Sequence, residues 1–348
     1  MYSLNNCLTI HSLSPLLSID VAILGSGPAA CALAILLRQA GVSLATFSLP
    51  PRPSQDTAEI PETLPPATRL PITSQSLRPH YAMAISWTTP SLGIRHSIAD
   101  PLGNGFFVHR PTFDQEMLAQ VSVVHAQLTS LLKHPTGWTL EFNNHAPVRA
   151  GMVVDASGRS AALARLIGAP RIALDPLVAL TVHASPQDFP AGEALVESAE
   201  DGWWFSALTP AGNLSLTWFA YQDRIPFAEA LRATIHTSQR VKRLSPLPPT
   251  SRSARTEWLK SPAGPGWLAI GDAAFASDPL GSQGLWRAFE SAHAAADLIL
   301  HGSLRTYLDF YSAHVEHFLR ERDLYYCLEL RWPHSPFWRL VQSVTARM

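Results

Sequence analysis

The stretch IDVAILGSGPAACALAILLRQAG, residues 19–41, decides the fold. Ile19 to Leu24 is a short, largely apolar run of strand length, and residues 29–39 predict a helix ending at Gly41, whose missing Cβ suits a left-handed cap. Between them lies GSGPAA. Gly25 permits a tight turn, Gly27 lets the backbone approach a pyrophosphate, and the small Ala30 allows close helix packing. Pro28 and Ala29 open the helix, whose unpaired N–H groups are the natural seat for phosphates. VSLATFS at 42–48 predicts a second strand, so the chain opens as a β-α-β unit built for a dinucleotide. One expected part is absent: the acidic residue that ends the second strand and grips a ribose is replaced by Phe47, Ser48, Leu49 and Pro50. Ribose contact must come from elsewhere.

The rest of the chain narrows the class. With 348 residues and 47% hydrophobic side chains it has room for two or three structural units and a core that needs no staples. A net charge of −1 provides no general field for nucleic acid or an anionic membrane, and the cations are nearly all arginine, with Lys133, Lys242 and Lys260 the only lysines. Cys7, Cys31 and Cys327 form no C-x-x-C pair, which excludes dithiol redox centres and the usual zinc spacings. Val21 to Leu37 carries no charge, yet Gly25, Gly27 and Pro28 would break a spanning helix, so no membrane span is expected. The first residues lack the charged start and cleavage pattern of a signal peptide, and a reducing, cytoplasmic setting is expected. His314 and His317 share a face of a predicted helix without a third ligand nearby, so no metal site is expected.

Further along, residues 50–80 are Pro-rich and irregular, 81–110 alternate in strand fashion, and a helix starts near Pro111. Residues 122–155 read as strands, 171–222 as several antiparallel strands, and 226–242 as a helix. A strand at GWLAIGD, a helix over 284–301 and a helical tail over 303–331 complete the pattern.

Three glycine-containing clusters stand far apart: GSGPAA at 25–30, DASGRSA at 155–161 and GDAAFASDPLGSQG at 271–284. Together with HRPTFD at 109–114, their order and spacing resemble the FAD-dependent group A monooxygenases, the superfamily of p-hydroxybenzoate hydroxylase and the flavin-dependent tryptophan halogenases. The resemblance implies an α/β fold of the p-hydroxybenzoate hydroxylase type: a Rossmann-like FAD domain, discontinuous over 18–170 and 255–302, an antiparallel-sheet substrate domain over 171–254, and a helical extension over 303–348. It also implies that Gly271 and Asp272 reach the flavin ribitol. Pro279, Gly281, Ser282, Gln283 and Gly284 would lead into a helix whose N-terminus faces the flavin ring, where its positive end stabilises the reduced cofactor. Asp155, Gly158 and Arg159 match a second fingerprint near the pyrophosphate, linked to the nicotinamide donor, and Arg110 matches an arginine near the FAD phosphates and ribitol.

PETLPP (61–66), SWTT (86–89), GWWFSALTP (202–210), DPLGSQG (278–284) and RWPHSPFWR (331–339) resemble more narrowly the flavoproteins of tryptophylquinone cofactor biogenesis, which hydroxylate a tryptophan of a partner polypeptide. Halogenation fits poorly, because it needs a lysine after a segment such as PETLPP and none precedes Lys133; the halogenase pattern G-W-x-W-x-I-P is also broken after Trp203. A second dinucleotide module is absent, so NAD(P)H is expected to dock transiently across the FAD domain. The implied reaction is reduction of FAD, capture of O2 as a flavin C4a-hydroperoxide, and transfer of OH to an electron-rich ring. Glu62, His109 and Asp278 are the polar candidates for a catalytic role, and Trp203, Trp204 and Phe205 for an aromatic substrate pocket, although alternation lets only one of the two tryptophans face it. The alternatives are a reductase of the geranylgeranyl-reductase type acting without O2, a halogenase, and a flavin-binding scaffold without turnover.

Overall fold

The computed structural model describes residues 17–50, 62–64, 76–97, 105–209, 212–221 and 225–345. Its first strand, Leu17–Leu24, lies at the heart of a parallel sheet between Leu44–Ser48 and Val148–Asp155. Val123–His125 extends this sheet beyond the former, and Trp267–Ala269 beyond the latter. The inner strands are buried on both faces, as a parallel core requires: Val21, Ala22, Ile23, Val153 and Val154 are all closed to solvent.

Seven α-helices are described: α1 (Pro28–Gln39), α2 (Arg110–Leu118), α3 (Ala162–Leu166), α4 (Phe227–Arg232), α5 (Gly284–His301), α6 (Leu304–Leu328) and α7 (Pro336–Thr345). The Ala-rich face of α1 (Ala29, Ala30, Ala32, Ala34) joins a core cluster with Ala288, Ala292, Ala295 and Ala296 of α5, so small side chains bring the two helices close above the sheet.

A second, antiparallel sheet runs through Val241–Leu244, Val178–Pro186, Leu214–Ala220, Gly202–Leu208 and Glu193–Ala199. It then continues into Ala82–Ser86 and Gly93–His96. The 82–96 segment, which precedes residue 171, thus pairs with the antiparallel sheet, Ala82–Ser86 running parallel to Glu193–Ala199. Conversely, Arg171–Ala173 pairs with Glu257–Leu259 rather than joining that sheet. The helix expected over 226–242 is only α4; Val241–Leu244 is a strand, and Thr250–Ser253 is a second strand beside Val178–Pro186.

The helical tail is broken once. α6 ends at Leu328, and Pro333 holds the following segment out of helix before α7 begins. The packing changes along α6, before the break. Tyr307, Tyr311, Val315 and Phe318 lie against the parallel-sheet half, where the Tyr311 hydroxyl donates to the Leu259 carbonyl at 2.7 Å. Tyr326, Phe337, Trp338 and Val341 join Trp203, Phe205 and Phe219 of the antiparallel sheet. No helix among the described residues is long and apolar enough to cross a membrane.

Candidate functional site

The register of the parallel sheet brings the three glycine clusters together. Leu24 stands opposite both Phe47 and Asp155, and Asp155 opposite Ala269. Each glycine cluster begins where one of these strands ends, so the segments starting at Gly25, Ala156 and Ile270 meet at one carboxyl edge, the place where open α/β sheets bind ligands. A cleft of about 940 Å³ opens there and runs to the antiparallel sheet.

Gly25, Gly27, Pro28, Ala29, Arg110, Gly158, Arg159, Gly271, Asp272, Pro279, Ser282, Gln283 and Gly284 line this cleft. Gly25 has φ +125°, and a Cβ there would meet the Ala156 carbonyl oxygen at 2.1 Å, so the first two clusters touch only because it is glycine. Gly27 differs: a Cβ would meet nothing within 4 Å, and its absence leaves open space at the start of α1.

Three expected members lie outside the cleft lining. Ala30 is buried in the α1 packing face. Gly281 ends a short turn whose neighbours reach the cleft in its place. Asp155 is fully buried: Oδ1 accepts from the Ser157 backbone N–H at 3.1 Å and its hydroxyl at 2.6 Å, and Oδ2 accepts from the Ala164 N–H at 2.9 Å. It shapes the second cluster from below. Arg159 is a clasp as well as a lining residue, donating to the carbonyls of Arg255 at 2.6 Å and Ser277 at 2.8 Å, with Nε 3.6 Å from Asp272 Oδ2.

Asp272 keeps 43% of its side chain open into the cleft, while the rest of the carboxylate is packed deep among protein atoms. That depth pushes its carboxyl above the usual range, and Arg159, Arg110, Arg171 and Arg287 pull it back down. Arg110 pairs with Asp114 through two contacts of 3.3 Å, which holds the guanidinium against the cleft wall.

The polar candidates separate. Asp278 lines the cleft, but both its oxygens are engaged: Oδ1 accepts from the Leu280 N–H at 2.9 Å and Oδ2 from Arg322 Nε at 3.2 Å. It is a buried cap and ion-pair partner. His109 lies outside the lining; it precedes α2 and its Nδ1 is 2.6 Å from Thr112 Oγ1. Glu62 opens a short strand opposite Val108, and its neighbours Pro61, Pro65 and Pro66 fall outside the described residues.

The aromatic candidates divide by face. Trp203 and Phe205 line the cleft with Ala179, Thr217 and Phe219. Trp203 stacks on Phe219 with centroids 3.9 Å apart and donates its indole N–H to Tyr326 Oη at 2.9 Å. Trp204 turns to the opposite face and stacks on Trp218 in a separate cluster, which removes it from the pocket. Sequence reasoning missed Thr217 and Phe219, although alternation along NLSLTWFA places them on one face. It also missed Ser48 and Gln127, which line the cleft; Ser48 Oγ is 3.0 Å from Ser26 Oγ. Among the described residues no group of three or more metal-binding side chains occurs.

The cleft suits FAD. Neither α1 nor α5 carries a side-chain cap or an acidic residue in its first turn, so both helix ends offer unpaired N–H groups and positive potential to the cleft. The open space at Gly27 and the nearby arginines fit a pyrophosphate, and hydroxyls at Ser26 and Ser48 fit a ribose without an acidic residue.

No family model matches the chain. A provisionally named FAD-dependent oxidoreductase, LodB of Marinomonas mediterranea, is 23% identical over 295 residues, covering 77% of this chain and 79% of its own length. Among solved structures, the peptidyl tryptophan dihydroxylase QhpG, essential for tryptophylquinone cofactor biogenesis, superposes with TM-score 0.70 at 23% identity, over 93% of this chain and 79% of its own. The myxobacterial chondrochloren halogenase CndH reaches 0.78 at 19% identity, over 94% and 86%. The 2,6-dihydroxypyridine-3-hydroxylase of Arthrobacter nicotinovorans reaches 0.72 at 16% identity, over 91% and 95%. The chain has the fold of the FAD-dependent hydroxylases and halogenases. The parallel sheet with its glycine-lined edge, and the antiparallel sheet facing it, are the two halves of that fold.

Proposed function

We propose that the protein is an FAD-dependent monooxygenase that hydroxylates an aromatic ring, with NAD(P)H as transient electron donor and O2 as co-substrate. The observation that carries this reading is a single cleft joining two uncapped helix ends to the aromatic wall of Trp203, Phe205 and Phe219. FAD, when bound, supplies the redox and oxygen chemistry. The chain's own residues do the rest. The start of α1 and Arg110 would hold the pyrophosphate, Asp272 would accept from the ribitol, and the N-terminus of α5 would stabilise negative charge on the ring system. Phe205, Phe219 and Ala179, with Trp203 stacked behind Phe219, would exclude water and offer apolar surface to an aromatic substrate.

Hydroxylation is preferred over halogenation because no lysine lines the cleft. The finer reading is a tryptophan side chain of a partner polypeptide, supported by the narrower sequence resemblance and by the likeness to QhpG. Aerobic incubation of the FAD-loaded protein with NAD(P)H and a tryptophan-containing peptide tests it by mass spectrometry. Gain of one or two oxygen atoms on tryptophan supports the finer reading, oxygen gain only on small aromatics narrows the substrate, and no oxygen gain on any aromatic overturns the proposal.

A further inference from the structure

Arg322 projects from α6 into the junction of three structural units, with 1% of its side chain exposed. Its Nη2 lies 3.0 Å from Asp175 Oδ2 and its Nε 3.2 Å from Asp278 Oδ2, and both carboxylates are closed to solvent. Asp278 spends its other oxygen capping the turn Pro279–Gly281, which feeds into Gly284 at the start of α5. Asp175 spends its other oxygen on the Leu177 N–H at 3.1 Å, at the entry to the strand that carries Ala179 into the cleft. The guanidinium also lies 4.6 Å from the ring centroid of Tyr326, whose hydroxyl receives the Trp203 indole N–H. One cation therefore touches the turn on the cofactor side, the entry to the antiparallel sheet, and the ring beneath the aromatic wall.

We propose that Arg322 is a positioning residue that locks the antiparallel sheet to the turn before α5, so that the C-terminal helix completes a cleft it does not line. The proposal rests on the FAD reading of that cleft. Its physical basis is charge balance: two buried carboxylates share one guanidinium, and removing that cation strands them together. The other charged or titratable groups facing this pair are Asp323, 3.7 Å from Arg322 Nη1, with Tyr221, Tyr326 and Arg287. Burial already raises the Asp175 carboxyl, and Arg322 opposes that rise; without it, a proton must take the cation's place.

The test compares Arg322→Met, Arg322→Lys and the double variant Arg322→Met/Asp175→Asn in the full chain. FAD affinity is read from flavin fluorescence across pH, and thermal unfolding from the FAD-free proteins. Arg322→Met is expected to weaken FAD binding by about tenfold or more at about pH 8. Part of that loss returns as pH falls and a proton enters at Asp175. Arg322→Lys restores part of the affinity at every pH, and the double variant flattens the pH dependence. An Arg322→Met profile matching the parent, or an equal pH-independent loss in the single and double variants, overturns the lock. If the parent binds no FAD, the cofactor reading fails by itself. The lock then stands or falls on whether Asp175→Asn restores the melting temperature that Arg322→Met loses.

Discussion

Gly25 lies so close to Ala156 that a Cβ on it would stand 2.1 Å from the Ala156 carbonyl oxygen. This contact seats the first glycine cluster against the second, and the backbone at Gly25 has φ +125°, which side chains rarely adopt. Gly25→Ala should therefore damage the fold itself, by about 3 kcal/mol or more. Chemical denaturation of the FAD-free protein checks this, and a stability loss under about 0.5 kcal/mol contradicts the contact.

Gly27 should behave oppositely. Its φ of −77° is ordinary and a Cβ would meet nothing within 4 Å, so Gly27→Val should cost the FAD-free protein only about 1 kcal/mol, the loss of a favourable N-cap residue. The added side chain would occupy the space assigned to the pyrophosphate, and FAD affinity should fall on the order of a hundredfold. Parent-like affinity in the valine variant would place the phosphates elsewhere.

Trp203 and Trp204 are neighbours with different work. Trp203→Phe removes the hydrogen bond to Tyr326 and shrinks the stack that backs Phe219 in the cleft wall, and should raise KM for an aromatic substrate on the order of tenfold. Trp204→Phe should leave KM unchanged and cost about 1–3 kcal/mol of stability, because Trp204 packs on Trp218 away from the cleft. Steady-state kinetics beside denaturation curves separate the two, and equal KM changes would refute the facial assignment.

The cysteines offer a check on burial. Desolvation, with a smaller contribution from Asp114, pushes the Cys31 thiol up from 9.0 to about 12, so it stays protonated in the native chain throughout mildly alkaline solution. Cys327 is exposed. Iodoacetamide at about pH 8 should label Cys327 and spare Cys31 until the protein unfolds, as peptide mapping would show. The sign for stability follows: above 9.0 the unfolded thiol loses its proton while the folded one keeps it, so the Cys31 contribution declines as pH rises toward 12.

The cofactor half was legible because its signals are local. Each glycine cluster must start where a parallel strand stops, and the runs before Gly25, Ala156 and Ile270 are short and apolar enough to read as strands. Alternation showed that Trp203 and Trp204 point apart, but which one faces the cleft depends on the pairing of Trp203 with Phe219, set by tertiary structure. The pairing of Ala82–Ser86 with Glu193–Glu197 is likewise non-local, so the expected domain boundary could not anticipate it. The same distance hid Arg322, whose partners Asp175 and Asp278 lie 147 and 44 residues away. Asp278 drew attention from its motif, yet its carboxylate is tied to that distant arginine and the Leu280 N–H, a commitment no motif displays.

The proposed activity requires that this cleft hold FAD and pass an oxygen atom from O2 to an aromatic ring. The most direct measurement supplies isotopically heavy dioxygen to the FAD-loaded protein with NAD(P)H and a panel of tryptophan-containing peptides and small aromatics, and weighs the products. One or more heavy oxygen atoms are expected on an aromatic ring, and none when O2 is withheld. Oxygen drawn from water instead, or a product that forms equally well without O2, would contradict it.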